Sequence, residues 1–404
     1  MKISLSELTR ILPIAKRRAG EKLVQIVNRL FNNEKLLKDV FGTKRSQKAL
    51  LCYLPEAFSR KRLPKYHSNF TECYTIAEVL DRLGYSVDCA SRNKKGIDYS
   101  RYEIVIGINC PAYAASFTTD SKIAPLRIFY SVGAHTFYNF RVTAKRNKEF
   151  FERHNCWLLP SYHYIPGNGM NYYMAQLSDA VISLGDSFLL QQMLDETEQI
   201  TKVKKLPAFY FNVCTPKENK DFSKCCNNIL WFGSSGMMHK GLDIAIDFAI
   251  QHPQFTLHIC GGSSQEKDFW RFYMPKIKSA SNIIMHGFVN IESEEFANIL
   301  AECGVLLNPS LSESGAVSVL NALGNGVLFP VYSKGTALDI NNVGVEIDDV
   351  TYENFKNTLL ALAKIPAKII EQKAWEAHRL VKNRYTLNNY RETMYNHIKE
   401  IIKK

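Results

Sequence analysis

FGSSGMMHKGLDIAIDFAI, Phe232 to Ile250, reads as an apolar strand that runs into a loop of small residues and then into a helix. Leu242, Ala245, Ile246 and Ala249 share one face of that helix. Small side chains let backbone approach a ligand closely, and Lys240 before Gly241 can offer a cation to a phosphate. The same residues read equally as a plain strand-to-helix turn with a solvated lysine. The loop is neither a Walker loop nor a G-x-G-x-x-G fingerprint, so neither an ATPase nor a dehydrogenase is indicated.

A second unit of this kind stands about 75 residues later: NPSLSESGAVSVLNALGNGV, Asn308 to Val327, again strand, small-residue loop and a helix stopped at Gly324. Ser314, Gly315, Ala316 and Val317 stand at or near its start, where free N–H groups and the helix dipole favour an anion such as a diphosphate. Glu313 precedes the helix and Asn321 lies eight residues on, roughly 12 Å along the axis. That span suits the two ends of a nucleotide sugar. Taken singly, Glu313 reads as well as a solvated or capping acid, and Asn321 as a helix-surface residue.

Outward from these units the chain keeps one rhythm. Strand patterns at Ala49–Leu54, Tyr85–Ala90, Glu103–Ile108, Arg127–Ser131 and Ala180–Leu184 precede others at Ile229–Phe232, Thr256–Cys260, Ile283–His286, Val305–Leu307 and Val327–Val331. Helical patterns stand between many of them, Phe70–Leu83 with its stop at Gly84 being the clearest. Such alternation is the mark of βαβ units and parallel sheets. At 404 residues the chain is too long for one ordinary core. The division expected is a basic helical segment 1–44, an α/β domain 45–215, a polar linker 216–228, a second α/β domain 229–373, and terminal helices 374–404.

Residues 1–48 carry twelve Lys and Arg against four acids, so they supply +8 of the net +12. Leu23, Ile26, Val27, Leu30 and Phe31 recur at helical spacing there, and Pro13 interrupts the first part. Two readings stay open, a basic amphipathic helix on an anionic membrane surface or a packed helix with a solvated basic face. No nucleic-acid motif accompanies the charge, so no nucleic-acid partner is expected. No run of 18 apolar residues occurs and the start lacks the apolar block of a signal peptide, so the expected location is the cytoplasm, with peripheral attachment to the inner membrane face as an addition. The ten cysteines include no C-x-x-C pair and read as reduced thiols.

Together the two units resemble the C-terminal domain of family-4, or group 1, retaining glycosyltransferases of the GT-B fold. Lys240 and Gly241 match that family's K-G, Pro309 and Ser310 its P-S, and Glu313 the first acid of its paired-Glu segment. The resemblance is good over Ile229 to Ala337 and topological before it. It implies two Rossmann-like domains facing a cleft and terminal helices 374–404 that pack back on the first domain, with Glu313 holding sugar hydroxyls, Lys240 neutralising the departing diphosphate, and the amides of Gly315 to Val317 on sugar and phosphate oxygens. Gly233, Ser234, Ser235, His239, Gly261, Gly262, His286 and Ser314 complete the expected donor side. His135, in RIFYSVGAHTFYNF, would face the reacting sugar, and His67 and Asn69 would line the acceptor side. Two positions depart from the pattern. Ser234 stands where the family commonly has a phosphate-binding Arg, which removes a cation; Lys334 or His239 are the candidates to replace it. Asn321 stands in place of the second Glu, which in the family binds ribose.

The function implied is transfer of a hexose-type sugar from a UDP- or GDP-sugar to a glycan or lipid-linked saccharide, of surface-polysaccharide type. No Asp-x-Asp triplet occurs, so neither a metal nor another obligatory cofactor is expected. Two alternatives remain: a non-catalytic subunit that binds nucleotide sugars, and an epimerase of the same architecture.

Overall fold

The computed structural model describes residues 35–403 except 61, 66, 121, 159–169, 197–202, 218, 263 and 341. The amphipathic pattern of residues 1–34 lies outside the described residues. The segment after it is not helical: Leu36–Leu37 (β1) is a short strand antiparallel to Ala90 and Cys89. A tight turn comes next, held by the Asp39 carboxylate on the Thr43 and Lys44 amides.

The chain is α/β, with two sheets. The first has the order β1-β3-β2-β4-β5-β6-β7. Its other strands are Lys48–Tyr53 (β2), Ser86–Ser91 (β3), Ile104–Gly107 (β4), Leu126–Ser131 (β5), Ala180–Leu184 (β6) and Val203–Leu206 (β7). β3, β2 and β4 run parallel to one another, as do β5, β6 and β7. The second sheet is wholly parallel in the order β10-β9-β8-β11-β12-β13. It is built from Asn228–Gly233 (β8), Thr256–Gly261 (β9), Ile283–Gly287 (β10), Val305–Asn308 (β11), Phe329–Ser333 (β12) and Val345–Ile347 (β13). Ten strands stand where the alternation places them, to within two residues. β1, β7 and β13 were not expected; they are two to four residues long, and β7, with its two lysines, carries the polar signature of an edge strand.

The helices of two turns or more are Ser68–Arg82 (α1), Thr136–His154 (α2), Met170–Leu177 (α3), Ser187–Glu196 (α4), Leu242–Gln251 (α5), Lys267–Ser279 (α6), Glu294–Glu302 (α7), Val317–Asn325 (α8), Tyr352–Leu362 (α9), Ala367–Arg384 (α10) and Leu387–Ile402 (α11). By its contacts the chain divides into two compact units, residues up to 63 with 72–127, and 64–71 with 128–404. Within the larger unit α11 lies on the first sheet. Tyr390 donates to the Tyr130 hydroxyl of β5, His397 meets the Lys205 carbonyl of β7, and Glu400 pairs with Lys204.

In the polar stretch 216–228, expected as a linker, Phe222 and Cys225 are buried while Lys217, Asp221, Ser223 and Lys224 stay exposed. Phe222 enters the core of the second sheet, and the buried Lys220 ammonium donates to the carbonyls of Leu300, Cys303 and Val327. The same core takes Phe150 from α2. Beside it Arg153 of α2 reaches Asp243 and Asp247 of α5, while the fully buried Arg146 pairs with Glu149. α2 comes after β5 of the first sheet in the chain yet is anchored in the layer of the second.

Candidate functional site

β8 and β11 are neighbours from which the chain winds in opposite directions, to β9 and β10 on one side and to β12 and β13 on the other. Loops leaving the carboxyl ends of such a pair diverge and leave a crevice, the usual ligand position in an open α/β sheet. The two units singled out in the sequence are those loops. Gly241 lets them meet: its φ is +66°, and a Cβ there would stand 2.5 Å from the Pro309 carbonyl oxygen. Ahead of α8, Gly315 (φ +77°) and Ala316 (φ +32°) both adopt left-handed backbone. Ala316 carries strain that glycine would not, at the residue where the amides of α8 begin.

The structure brings Lys240 and Glu313 together. Their Nζ and Oε1 lie 3.0 Å apart with both side chains about 15% exposed, and Ser310 Oγ donates to the same oxygen at 3.2 Å. Burial is the largest influence on the Glu313 carboxyl and pushes it up, but the Lys240 charge and hydrogen bond, helped by the Ser310 hydroxyl, bring it below its ordinary value. The pair is a charged latch across the two loops. An arriving phosphate can take over the ammonium, which frees the carboxylate for hydroxyl groups.

His239 does not replace the missing arginine. It is buried, its Nε2 lies 2.9 Å from both the carbonyl oxygen and the hydroxyl of Ser312, and burial lowers its pKa. A carbonyl only accepts, so Nε2 carries the proton and the ring stays neutral. Lys334 pairs with Asp348 at 3.5 Å. Ser234 is exposed, next to Ser235 in the loop after the buried Gly233. Gly233 and Gly261 are in backbone contact, a Cβ on Gly261 falling 1.8 Å from the Gly233 carbonyl oxygen, and Gly262 donates to that same oxygen. His286 sits at the end of β10, stacked on His258, with 3.2 Å between ring nitrogens.

Asn321 is a correction in kind. Its side-chain oxygen accepts from the Phe211 amide at 2.8 Å, and Asn325, one turn on, accepts from Val213 and Cys214. Ala208 and Tyr210 pack where Cβ atoms on Gly315 and Gly324 would clash. Residues 208–214 therefore lie along α8, and Asn321 holds them rather than facing outward. Ser314 donates to the Val132 carbonyl at 2.9 Å, so it fastens the loop to the end of β5.

His135 is fully buried as the N-cap of α2, its Nδ1 accepting from the Phe137 amide at 3.4 Å. Asn69 falls in the first turn of α1, and His67 is exposed just before it, near the Phe70 ring. Lys65 in the same stretch pairs with Glu292, which lies beyond the end of β10. The sequence reading passed over three residues that shape the site. Glu266 accepts from the Gly236 and Met237 amides, and Ser312 donates to Asn139 of α2. None belongs to a motif, although Ser312 stands inside the loop that leaves β11.

No protein-family profile matches the chain, and no curated protein matches it in sequence. Solved structures do match in fold. Sucrose-phosphate synthase from Thermosynechococcus elongatus aligns with a TM-score of 0.62 at 10% identity, over 89% of this chain and 100% of that one. HepE of Anabaena, solved in complex with UDP and glucose, aligns at 0.57 with 13% identity, over 88% and 99%. TarM aligns at 0.51 with 14% identity over 81% of this chain and 58% of its own, so this chain spans less than two thirds of TarM. The fold is the two-sheet α/β arrangement of GT-B glycosyltransferases.

Proposed function

We propose that the chain is a glycosyltransferase that takes a sugar from a nucleotide diphosphate donor, UDP- or GDP-linked, and passes it with retention to a glycan or lipid-linked saccharide. The observation that carries the reading is the Lys240–Glu313 pair at the switch point of the second sheet, directly ahead of the α8 amides. HepE, of the same fold, was solved with UDP and glucose, which supports a nucleotide-sugar donor.

The reading gives each group a task. The amides of Gly315, Ala316 and Val317 receive phosphate oxygens, and Lys240 turns from Glu313 to the diphosphate. Glu313, released, accepts from sugar hydroxyls, while Gly241 and Gly315 keep backbone close to the donor. The acceptor hydroxyl oxygen bonds to the anomeric carbon as the carbon–phosphate oxygen bond breaks. The nucleotide diphosphate leaves with the bonding pair, and one of its oxygens takes the acceptor proton on the same face. No protein base is required, and catalysis rests on position and on charge at the leaving group.

Titration with UDP-glucose and GDP-mannose, with acceptor-free hydrolysis then measured for any sugar nucleotide bound, tests the proposal. Binding by wild type and a loss of roughly a hundredfold in turnover for Lys240→Ala are expected. No binding of either donor would sink it. A second reading, a subunit that binds nucleotide sugar without turnover, draws on the neutral His239 and the exposed Ser234, which leave Lys240 as the only cation of the two loops. Binding with no hydrolysis and no transfer would favour that reading.

A further inference from the structure

α2 is held at both ends by the second sheet's half of the chain. Near its carboxyl end Arg153 sits on Asp243 and Asp247 of α5, the helix that begins directly after Lys240 and Gly241. In its first turn Tyr138 donates to the Leu311 carbonyl at 3.4 Å, and Asn139 accepts from the Ser312 hydroxyl. Ser312 is buried, and so is His239 beside it.

Proton bookkeeping orders this contact. The Ser312 hydroxyl has one proton, and the Asn139 oxygen, which only accepts, takes it. The Ser312 oxygen is then left to accept from His239 Nε2, which also donates to the Ser312 carbonyl. The relay runs His239 to Ser312 to Asn139 in one sense only. His239 adjoins Lys240 and Ser312 adjoins Glu313, so the relay joins the two chain neighbours of the latch. The Leu311 amide bonded to the His239 carbonyl at 2.8 Å makes the joint two-sided.

We propose that Asn139 is a positioning residue for the donor site, and that through Ser312 and His239 it sets the pose of Glu313 against Lys240. The first turn of α2, which also carries His135 at its cap, thereby sets the geometry of the loops from β8 and β11. The kinetic consequence rests on the glycosyltransferase reading; the state of His239 does not.

The test is a series on the full chain: Asn139→Ala, Asn139→Asp, Ser312→Ala and the double variant Asn139→Ala with Ser312→Ala. Two things are read, hydrolysis of UDP-glucose and the side-chain nitrogen signals of His239 in ¹⁵N-labelled protein. Asn139→Ala is expected to lower kcat roughly ten- to a hundredfold with KM nearly unchanged, as a misplaced catalytic group would. Asn139→Asp keeps an acceptor for the Ser312 proton and recovers most of the rate. The double variant falls no further than either single one, because one relay is being cut twice. In wild type His239 is neutral with its proton on Nε2; in Asn139→Ala the freed Ser312 proton turns toward the ring and the Nδ1-protonated form gains population.

Wild-type kinetics in Asn139→Ala with unmoved His239 signals would overturn the proposal. So would an Asn139→Asp variant as impaired as Asn139→Ala, or single effects that multiply in the double variant. Should wild type neither bind nor hydrolyse UDP-glucose, the functional reading fails separately, and the His239 signals decide the relay: a shift in Asn139→Ala that Asn139→Asp does not share upholds it, and its absence overturns it.

Discussion

A lysine and a glutamate on two separate loops were legible in the sequence as candidates, and their meaning depends on the water they have lost. Because the Glu313 carboxyl titrates below its ordinary value, its contribution is present above the usual carboxylate range and is lost as pH falls through the folded value. In Lys240→Met the influence that most opposes burial is gone and the Ser310 hydrogen bond is left, so the carboxyl moves up and the variant loses stability as pH rises through and above the usual carboxylate range. Urea midpoints of the two proteins are therefore expected to diverge between pH 4 and pH 7; parallel curves would contradict the latch. Asp186, where β6 meets α4, offers the opposite case within one protein. Burial, and next in sign Asp339, raises it to about 6 against the amides of Leu189 and Phe188. It holds its proton longer when folded, so it favours the folded state most at low pH and loses that effect as pH rises through about 6. Asp186→Asn keeps an acceptor for the cap and is expected to gain about 2 to 3 kcal/mol relative to wild type between pH 4 and pH 7 in the same titration.

At the scale of elements, α2 and α8 are where the fold adds most to the sequence. The helix α8 was expected from the sequence, but residues 208–214 lie along it and take the side chains of Asn321 and Asn325. An Asn at helix spacing from another Asn reads as a surface residue until something packs over it. α2 carries Arg146, fully buried, and Arg153, both bound into the acids of α5 and of α2 itself. Charge at these positions looks like a solvated helix face in sequence. Arg153 lies against the rings of Phe150 and Tyr352, and Phe150 in turn packs on Phe272 and Tyr273. Arg153→Met leaves Asp243 to Arg146 and Asp247 to His154 and Tyr273, and is expected to cost about 3 kcal/mol, read as a lowered urea midpoint. A change below about 1 kcal/mol would mean the cluster is solvated in solution.

Across the larger unit the decisive element is the last one. α11 buries Tyr390, Met394, Ile398 and Ile401 along one face, against Phe209 and Tyr130 among others. At roughly 1.5 to 3 kcal/mol for each large apolar side chain, the face contributes about as much as the whole net stability of an ordinary domain. A chain ending at residue 385 is expected to lose its cooperative thermal transition and to bind a hydrophobic dye; an unchanged transition would show that α11 merely rests on the sheet. The helical, charged pattern after Ile369 was legible in the sequence, and its return to the first sheet was implied by the family resemblance. The register of contacts was not, because polar groups such as His397 and Glu400 find partners on a strand, β7, too short and too lysine-rich to announce itself.

The sequence by itself determined the α/β alternation, ten of the thirteen strands among the described residues, and the two loops that meet at β8 and β11. These rest on local periodicity and on small residues at strand ends, information carried within a dozen residues. The tertiary structure alone decided which polar side chains remain at the site. Lys240 and Glu313 stay together at the crevice, while His239 is neutralised and Asn321 buried by segments 70 to 110 residues away. Protonation and exposure depend on what is packed against a group, and that partner is chosen by the fold rather than by its neighbours in the chain.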